Sequence, residues 1–438
     1  MDESKLHPLV RQMANDLMEA RRGLPLSGAV SAINYKMANI ASQMHITVDT
    51  KSGYQPTPVN IYSLTLMSSG SGKNASLGLL DRYYFGEAYS YIRDIVYPIY
   101  KKKALDKLED EGNDRDIHAW TQSISNATVS GMYAYAESFS MCGFGSLNIE
   151  IDEIGNAVTS KAELFEQLLT PYDNGDFMPV AKRTDANAMD IKGVPVNVYS
   201  FGNKVRLMNG DNVEKAFIAL IDEGYGRRFI FVDDNSKPIA KTPEEILDEM
   251  DRSEHIRSTR GKDRDYIKSL IAKENFNKIL NMDRDAMLYY ATIKSKSDEY
   301  VSERKGLHPA VAADLSERNF KTVKLAGVYA FFDGSDSVKK EHMEQAYEVI
   351  KESSKVLENL REVRPTHARL LDALLMEEKP VTQQHMLAYP FISSGWTKKI
   401  IEYIELAKQL ANDNGLEWDE TSKGGVTYYQ VIDTEIGG

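Results

Sequence analysis

The alternation of apolar and polar residues along the chain predicts β-strands separated by helices. Four segments rich in β-forming residues stand out, at 59–67, 147–151, 194–200 and 229–232. Helical periodicity occupies much of the sequence between them. Strands separated by helices favour an α/β fold with a largely parallel sheet. We therefore predict that residues 53–236 form one core built on such a sheet.

Helical patterns flank this core on both sides. The segment 1–52 contains two of them, at 6–20 and 27–43, and is predicted to be a helical N-terminal segment. The segment 237–360 is also helical by pattern, and we predict a helical domain there. A charged run at 251–265 interrupts it and is our candidate for an internal linker.

The last part of the chain changes character. Residues 361–438 contain three short helical patterns, followed by β-rich segments around Lys423-Gly424-Gly425. Three helices and a hairpin are typical of a winged helix, so we predict a winged-helix-like domain there. Four parts are thus expected: 1–52, 53–236, 237–360 and 361–438.

Composition and charge limit the functional classes. A chain of 438 residues exceeds the usual size of one hydrophobic core, and its net charge of −12 argues against coating nucleic acid over its whole surface. A basic cleft in an acidic protein remains compatible with DNA binding. The single cysteine, Cys142, excludes an internal disulfide and a cysteine-rich zinc site. With no long apolar stretch and no leader pattern, we expect a cytoplasmic protein without a membrane partner.

A loop of small residues follows the first β-rich segment and precedes a helical pattern. It consists of Ser69, Gly70, Ser71, Gly72 and Lys73, directly before Asn74. Small residues let successive backbone N–H groups point at phosphates, and a lysine at the start of the next helix meets the β- and γ-phosphates. This strand–loop–helix order predicts a nucleotide-binding loop. The alternative is a flexible Ser/Gly loop.

Two acidic residues, Asp152 and Glu153, directly follow the second β-rich segment. A phosphate loop needs such a pair, with one carboxylate holding a hydrated metal and the other activating water. We assign Asp152 to Mg²⁺ and Glu153 to the catalytic base. Asn74 stands where a hydroxyl usually binds the metal, and its carbonyl oxygen is also a hard donor. The alternative for the acidic pair is a solvated strand end.

Three further residues are candidates for the catalytic site. Asn203 ends the third β-rich segment and is our choice for a group that senses the γ-phosphate, with Ser200 second. Arg227 and Arg228 precede the fourth segment, where an arginine can reach a neighbouring subunit's nucleotide and stabilise the transferring phosphoryl group. The alternatives are a simple Gly-Asn turn and a surface salt bridge.

A basic segment lies just before the third β-rich segment. Lys182, Arg183 and Lys192 flank turn-forming residues and are predicted to lie on a hairpin. A basic hairpin suits the phosphates of a single DNA strand. We therefore name these three residues as candidate DNA contacts.

From about Ser27 to Glu358 the order of these parts resembles the superfamily-three-like helicase ATPases of phages, plasmids and integrated elements, particularly the YfjI-like group. These are P-loop ATPases related to the AAA+ class. The likeness includes a helix-rich start at Gly28–Asn34, the Ser-Gly-x-Gly-Lys loop, Asp152-Glu153, Asn203 and Gly226–Phe229.

The resemblance implies an ATP-driven DNA helicase or translocase of mobile-element replication. Such proteins form rings, here a hexamer, with ATP and Mg²⁺ at subunit interfaces and single-stranded or forked DNA passing the basic hairpins. Lys324 falls where they carry a basic residue near the nucleotide. Primase or polymerase would be replication partners. Two alternatives remain open: a helicase loader or remodelling ATPase, and a nucleotide-regulated DNA-binding initiator that does not unwind DNA.

Overall fold

The structure is a computed structural model. It describes residues 1–51, 55–67, 73–113, 115–178, 190–208, 212–234, 240–304, 306–361, 366–377, 379–389, 391–392 and 397–432. The side chains at positions 73, 74, 205, 206, 397 and 398 are also outside the description. The protein is mixed α/β and 63% helical, with a parallel sheet, so the predicted class is confirmed at this level.

The described residues before position 221 form ten α-helices. They are α1 (Pro8–Ala20), α2 (Leu26–Gln43), α3 (Lys73–Leu80), α4 (Gly86–Tyr91), α5 (Tyr97–Asp110), α6 (Val129–Cys142), α7 (Ile154–Ser160), α8 (Ala162–Asn174), α9 (Lys204–Leu207) and α10 (Asn212–Leu220). Two π-helical turns, Asp81–Phe85 and Ile92–Val96, join α3, α4 and α5. A third π-helical turn, Ile221–Tyr225, follows α10.

The rest of the described chain contains nine further α-helices. They are α11 (Pro243–Thr259), α12 (Gly261–Ser269), α13 (Arg284–Glu303), α14 (Pro309–Ser316), α15 (Arg318–Phe332), α16 (Lys340–Arg361), α17 (Thr366–Met376), α18 (Gln383–Met386) and α19 (Thr397–Asp413). The predicted linker at 251–265 is wrong, because α11 and α12 occupy it. Its charges pair with other helices: Arg260 binds Asp16, and Arg264 binds Glu87.

Eleven strands are described: β1 (Thr47–Asp49), β2 (Thr57–Pro58), β3 (Tyr62–Met67), β4 (Leu147–Ile151), β5 (Val196–Gly202), β6 (Phe229–Asp234), β7 (Ile279–Met282), β8 (Ser337–Val338), β9 (Val381–Thr382), β10 (Glu417–Lys423) and β11 (Val426–Ile432). The central sheet has the order β4-β5-β3-β6, and all its pairs are parallel. A second sheet has the order β2-β1-β7-β8, and a third β10-β11-β9.

Contacts divide the chain into two compact units. The first contains Met1–Asn203 and Ala219–Leu360, and the second contains Lys204–Ile218 and Arg361–Gly438. The central sheet and the N-terminal helices belong to the first unit. In the second, α17 and α19 pack with the β10–β11 hairpin around Leu370, Ile404 and Val431.

Helix α2 lies on the central sheet and is buried on every side. Each residue from Gly28 to Gln43 is buried, and the helix packs against β3, β5 and β6. The Ser31 hydroxyl lies 2.7 Å from the Ser63 hydroxyl and 2.8 Å from that of Thr65, so this serine is paired with the sheet across the interface. The segment 1–52 therefore belongs to the unit that carries the sheet.

A carboxylate fastens the start of α1 to α16. Asp333, which caps the end of α15, lies 3.0 Å from Nε2 of His7 and 3.1 Å from Nε2 of His342. Nδ1 of His342 accepts the N–H of Lys339 at 3.0 Å, so the neutral ring donates its Nε2–H to Asp333. We call Asp333 and its two histidines the Asp333 clasp.

Among the described residues, none of the helices has the combination of length and apolar character that crossing a bilayer requires.

Candidate functional site

The candidate site lies at the carboxyl edge of the central sheet. Strand β3 ends at Met67 and helix α3 begins at Lys73, so the predicted strand and helix stand on either side of the loop. Ser69, Gly70, Ser71 and Gly72 lie outside the described residues, as do the side chains of Lys73 and Asn74. The frame that would hold a phosphate loop is present, and the conformation of the loop stays a prediction.

The strand register brings the acidic pair to the same edge. Leu64, Ser200 and Ile151 lie level with one another across β3, β5 and β4. Asp152 and Glu153 follow Ile151 directly. Adjacent strands are about 4.8 Å apart, so the acids lie roughly 10 Å sideways from β3. Ligands of open parallel sheets bind at this edge.

The two carboxylates differ in their surroundings. Asp152 is exposed, whereas Glu153 is half-buried and caps the start of α7 without a side-chain hydrogen bond to it. One oxygen of Glu153, Oε1, is enclosed and has no hydrogen-bond partner among the described residues. An enclosed carboxylate oxygen without a donor is costly, and a water molecule or another donor would satisfy it. This is the environment expected of a general base that acts on water.

Magnesium fits this donor set only together with a phosphate. Mg²⁺ prefers hard oxygen ligands and is often held by one or two carboxylates, water and substrate phosphates. Asp152 supplies such an oxygen at the edge. In the described part of the chain, no group of three or more histidine, cysteine or acidic side chains is arranged to bind a metal alone. The expected ion would therefore depend on the bound nucleotide.

Asn203 stands at the end of β5, between the acidic pair and the loop strand. It follows Gly202, which is level with Leu66, and its side chain is half-buried. Ser200, the second candidate, lies inside the strand, with a buried hydroxyl that has no partner among the described residues. Asn203 therefore has the better position of the two for contacting a terminal phosphate.

The two candidate arginines lie at the opposite, amino edge of the sheet, just before β6. Arg228 is 6% exposed; its guanidinium donates to Asp173 at 2.9 Å and to the Gly224 carbonyl at 3.1 Å. Arg227 forms an ion pair with Glu317 and is 32% exposed. Arg228 is thus enclosed by its own chain, and Arg227 is the more accessible of the two.

Lys324 requires a correction. Its ammonium donates, at 2.8 Å each, to the Pro58 carbonyl, the Asn60 side chain and the Tyr172 carbonyl. Pro58 and Asn60 precede β3, so Lys324 lies at the end of the strand away from the loop. All three of its protons are used inside the protein. Lys324 is therefore not a nucleotide contact. The helical pattern correctly predicted that Lys324 lies on a helix, but it could not show which end of the sheet the side chain would contact.

The predicted basic hairpin is described only at its base. Phe177 donates to the Ile191 carbonyl at 3.0 Å, and Val194 donates to the Gly175 carbonyl at 2.9 Å, so the two flanks pair. Lys192 lies on the second flank and forms an exposed ion pair with Asp190 at 3.1 Å. Lys182 and Arg183 lie outside the described residues.

Sequence reasoning missed a second acidic pair at this edge. Asp233 and Asp234 end β6, level with Leu66 and Met67, and the Ser27 hydroxyl donates to Asp234 at 3.2 Å. The signal was the same as for Asp152-Glu153, an apolar strand ending in two acids. The edge is therefore acidic on both sides of the loop strand.

A buried ion pair supports the helix that follows the loop. Lys36 on α2 is 2% exposed and lies 2.9 Å from Asp81, the residue directly after α3. Gln122 also donates to Asp81 at 2.9 Å. Removing Asp81, which is itself 30% exposed, would be destabilising because the charge of Lys36 would stay buried. The ion pair anchors α3, whose first residue is Lys73, to α2.

Comparisons of the sequence with known proteins give no relative. No family model matches the chain. A search of curated proteins finds no match either. A function for this chain therefore has to be inferred from its strand order and from the residues at the carboxyl edge.

Proposed function

We propose that this chain is an ATP-driven DNA helicase or translocase with a P-loop ATPase core, of the superfamily-three-like kind. The observation that carries the proposal is the register of the central sheet. It brings the end of β3, after which the predicted loop follows in the sequence, to the same edge as the ends of β5 and β4, which precede Asn203 and Asp152-Glu153. These are the three kinds of group that hydrolysis of a nucleoside triphosphate needs, in three neighbouring strands.

Each residue has a distinct task in the proposed reaction. Lys73, at the first position of α3, would meet the β- and γ-phosphates. Glu153 would orient and deprotonate the attacking water through its enclosed oxygen. Asn203 would contact the terminal phosphate. Bound Mg²⁺, held by Asp152 and by Asn74, would neutralise charge on the phosphates. Arg227 would serve the nucleotide of the next subunit in a ring.

The second unit supports a winged-helix-like module. Its order, α17, β9, α18, α19 and the β10–β11 hairpin, is three helices with a three-stranded antiparallel sheet. The exposed side chains described on α19 carry both signs of charge, Lys399 against Glu402 and Glu405, and Ile401 beside them is 57% exposed. A face of mixed charge with an exposed apolar side chain suits a protein surface better than the phosphates of duplex DNA. This observation favours a second candidate function, a loader or remodelling ATPase that contacts another protein through this unit.

Hydrolysis assays test the core of the proposal. ATP hydrolysis is measured with and without single-stranded DNA for the wild type, Lys73→Ala and Glu153→Gln. We expect Glu153→Gln to lower the rate by about 100-fold or more, because a general base contributes roughly 10²–10⁴-fold. Glu166→Gln, an exposed acid on α8, is the matched control. Absence of hydrolysis in the wild type would overturn the proposal.

Strand separation then distinguishes the two candidates. A forked duplex with a labelled strand is incubated with ATP and the wild-type protein. Release of the labelled strand supports the helicase. Hydrolysis stimulated by DNA without release of the strand supports the loader or remodelling ATPase.

A further inference from the structure

The first unit contains a cavity beside the loop strand. It has a volume of about 330 Å³ and lies between α2, β3, β6 and α16. Small-molecule sites in proteins are concavities of roughly 300–1,000 Å³. The cavity is therefore large enough for a small organic ligand.

Apolar atoms make up most of the wall of the cavity, and polar or charged side chains, among them Asp233, Glu352 and Lys355, line the rest. Val30 on α2, Ile61 before β3, Ile230 on β6 and Val356 on α16 supply hydrocarbon surface. The β6 backbone is tied to α16 by Phe231, whose N–H donates to the Ser353 hydroxyl at 2.8 Å, so this wall is fixed. An apolar chamber with a few placed polar groups is typical of ligand sites.

One polar group in the cavity has an unused donor. Asn34 on α2 is 2% exposed, and its side-chain oxygen accepts the Tyr329 hydroxyl at 3.0 Å. This bond fixes the amide orientation, which leaves Nδ2 as the group without a partner among the described residues. A buried N–H₂ without an acceptor costs free energy that an acceptor on a ligand would recover. Asn34 thus marks a hydrogen-bonding position inside the cavity.

The cavity lies on the side of the loop strand away from the acids. Strands β5 and β4, with Asn203 and Asp152-Glu153, stand on one side of β3, and β6 stands on the other. Two residues at the cavity wall mark the carboxyl edge: Ser27, which bonds to Asp234, and Asp233. Asp234 is level with Met67, directly before the loop. The cavity therefore reaches the level at which the loop begins.

We propose that this cavity holds the base and sugar of the nucleoside triphosphate whose phosphates the loop binds. The inference rests on the proposed function. A nucleotide whose terminal phosphate points toward β5 and β4 must extend its nucleoside in the other direction, toward β6. The cavity lies there, with apolar walls for the rings and Asn34 Nδ2 to donate to a ring nitrogen or carbonyl oxygen. The nucleoside part, and not the phosphates alone, then contributes to affinity.

Titration calorimetry with ATP and with inorganic tripolyphosphate tests this assignment. Val356→Trp fills the cavity from α16, and Glu344→Trp places the same side chain at an exposed position of that helix, outside the cavity. We expect Val356→Trp to weaken ATP binding by about tenfold or more, about 1.4 kcal/mol, and to leave tripolyphosphate binding unchanged. Lys73→Ala should weaken the binding of both probes.

The outcomes separate the two proposals. If the wild type binds ATP more tightly than tripolyphosphate and Val356→Trp keeps that difference, the nucleoside assignment is wrong while the proposed function stands. If the wild type binds neither probe, both are wrong. Should Val356→Trp not fold, Asn34→Asp decides. It keeps an oxygen facing the Tyr329 hydroxyl and removes the N–H₂ donor. Weaker ATP binding with unchanged tripolyphosphate binding supports the assignment, and unchanged ATP binding, or an equal loss for both probes, overturns it.

Discussion

Lys324 gives the most direct test of the packing at the amino edge of the central sheet. Its ammonium group is fully enclosed between the Pro58 carbonyl, Asn60 and the Tyr172 carbonyl. Burial lowers the pKa of Lys324 from 10.5 to about 7; Asp173 opposes this shift and nearby Arg228 adds to it. The folded protein therefore holds this proton less tightly than the unfolded chain does.

The sign of the effect on stability follows from proton binding. Below pH 7 Lys324 is charged in both states, and the full cost of burying the charge is present. Between pH 7 and 10.5 the unfolded chain carries a proton that the folded protein has released, so the free energy of unfolding rises with pH. The slope from this one group is at most about 1.4 kcal/mol per pH unit. Above that window Lys324 is neutral in both states and the contribution is constant.

Lys324→Met removes the titrating group and retains an unbranched apolar stem. Urea unfolding, followed by circular dichroism from pH 7 to pH 10, gives the free energy of unfolding for both proteins. The variant loses a donor to three buried oxygens, which costs roughly 1–3 kcal/mol for each one left unsatisfied and does not depend on pH. We expect the free energy of unfolding of the wild type to rise with pH relative to that of the variant. Lys107→Met, an exposed lysine on α5, is the control.

Parallel pH curves for the wild type and Lys324→Met would refute this reasoning. They would mean that the three oxygen acceptors hold the ammonium charged throughout the range. The charge would then be a permanent part of the folded structure.

Three further predictions concern packing, acid stability and surface charge. Gly327→Ala should lower the free energy of unfolding by about 1–3 kcal/mol in urea titration, because the new Cβ would lie 2.5 Å from Val48 and 2.6 Å from Val59. This steric clash outweighs the better helix propensity of alanine. Burial raises the pKa of Asp333, but the hydrogen bonds from the two histidines of the Asp333 clasp have the larger effect and lower it below 3.8. Asp333→Asn should therefore lower the melting temperature at pH 7. This difference from the wild type should shrink as the pH falls below 3.8. Glu402→Lys should strengthen salt-sensitive duplex DNA binding by the full chain in fluorescence anisotropy; unchanged binding would show that α19 does not face DNA.

The elements around the loop were predictable because their signals are local. The segment at 59–67 contains β3 and the one at 147–151 coincides with β4, because buried parallel strands are short apolar runs. Given a parallel sheet, the acids after β4 and the asparagine after β5 had to reach one edge. This part of the candidate site followed from sequence order and sheet geometry alone.

Other features depend on contacts between distant segments and leave no local signal. Strands β7 and β8 are four and two residues long. Strand β7 pairs with β1, far away in the chain, and β8 pairs with β7, so the region 237–360 showed only its helices. The charge of Arg260 looked like a linker feature until its partner Asp16 was known. The position of Lys324 at the amino edge depends on how α15 packs against α2 and β1, which periodicity does not specify.

The complete burial of α2 has a consequence for the order in which this protein folds. Residues 26–43 are covered by a sheet whose strands span residues 62 to 234, and by α15, which begins at residue 318. Their native contacts therefore have high contact order, and loop closure has to precede most of the stabilisation they bring. During synthesis the apolar face of α2 would stay uncovered by α15 until some 300 further residues have been made. We expect refolding to be slow and cooperative, with α2 and α15 protected late and together in pulse-labelling hydrogen exchange.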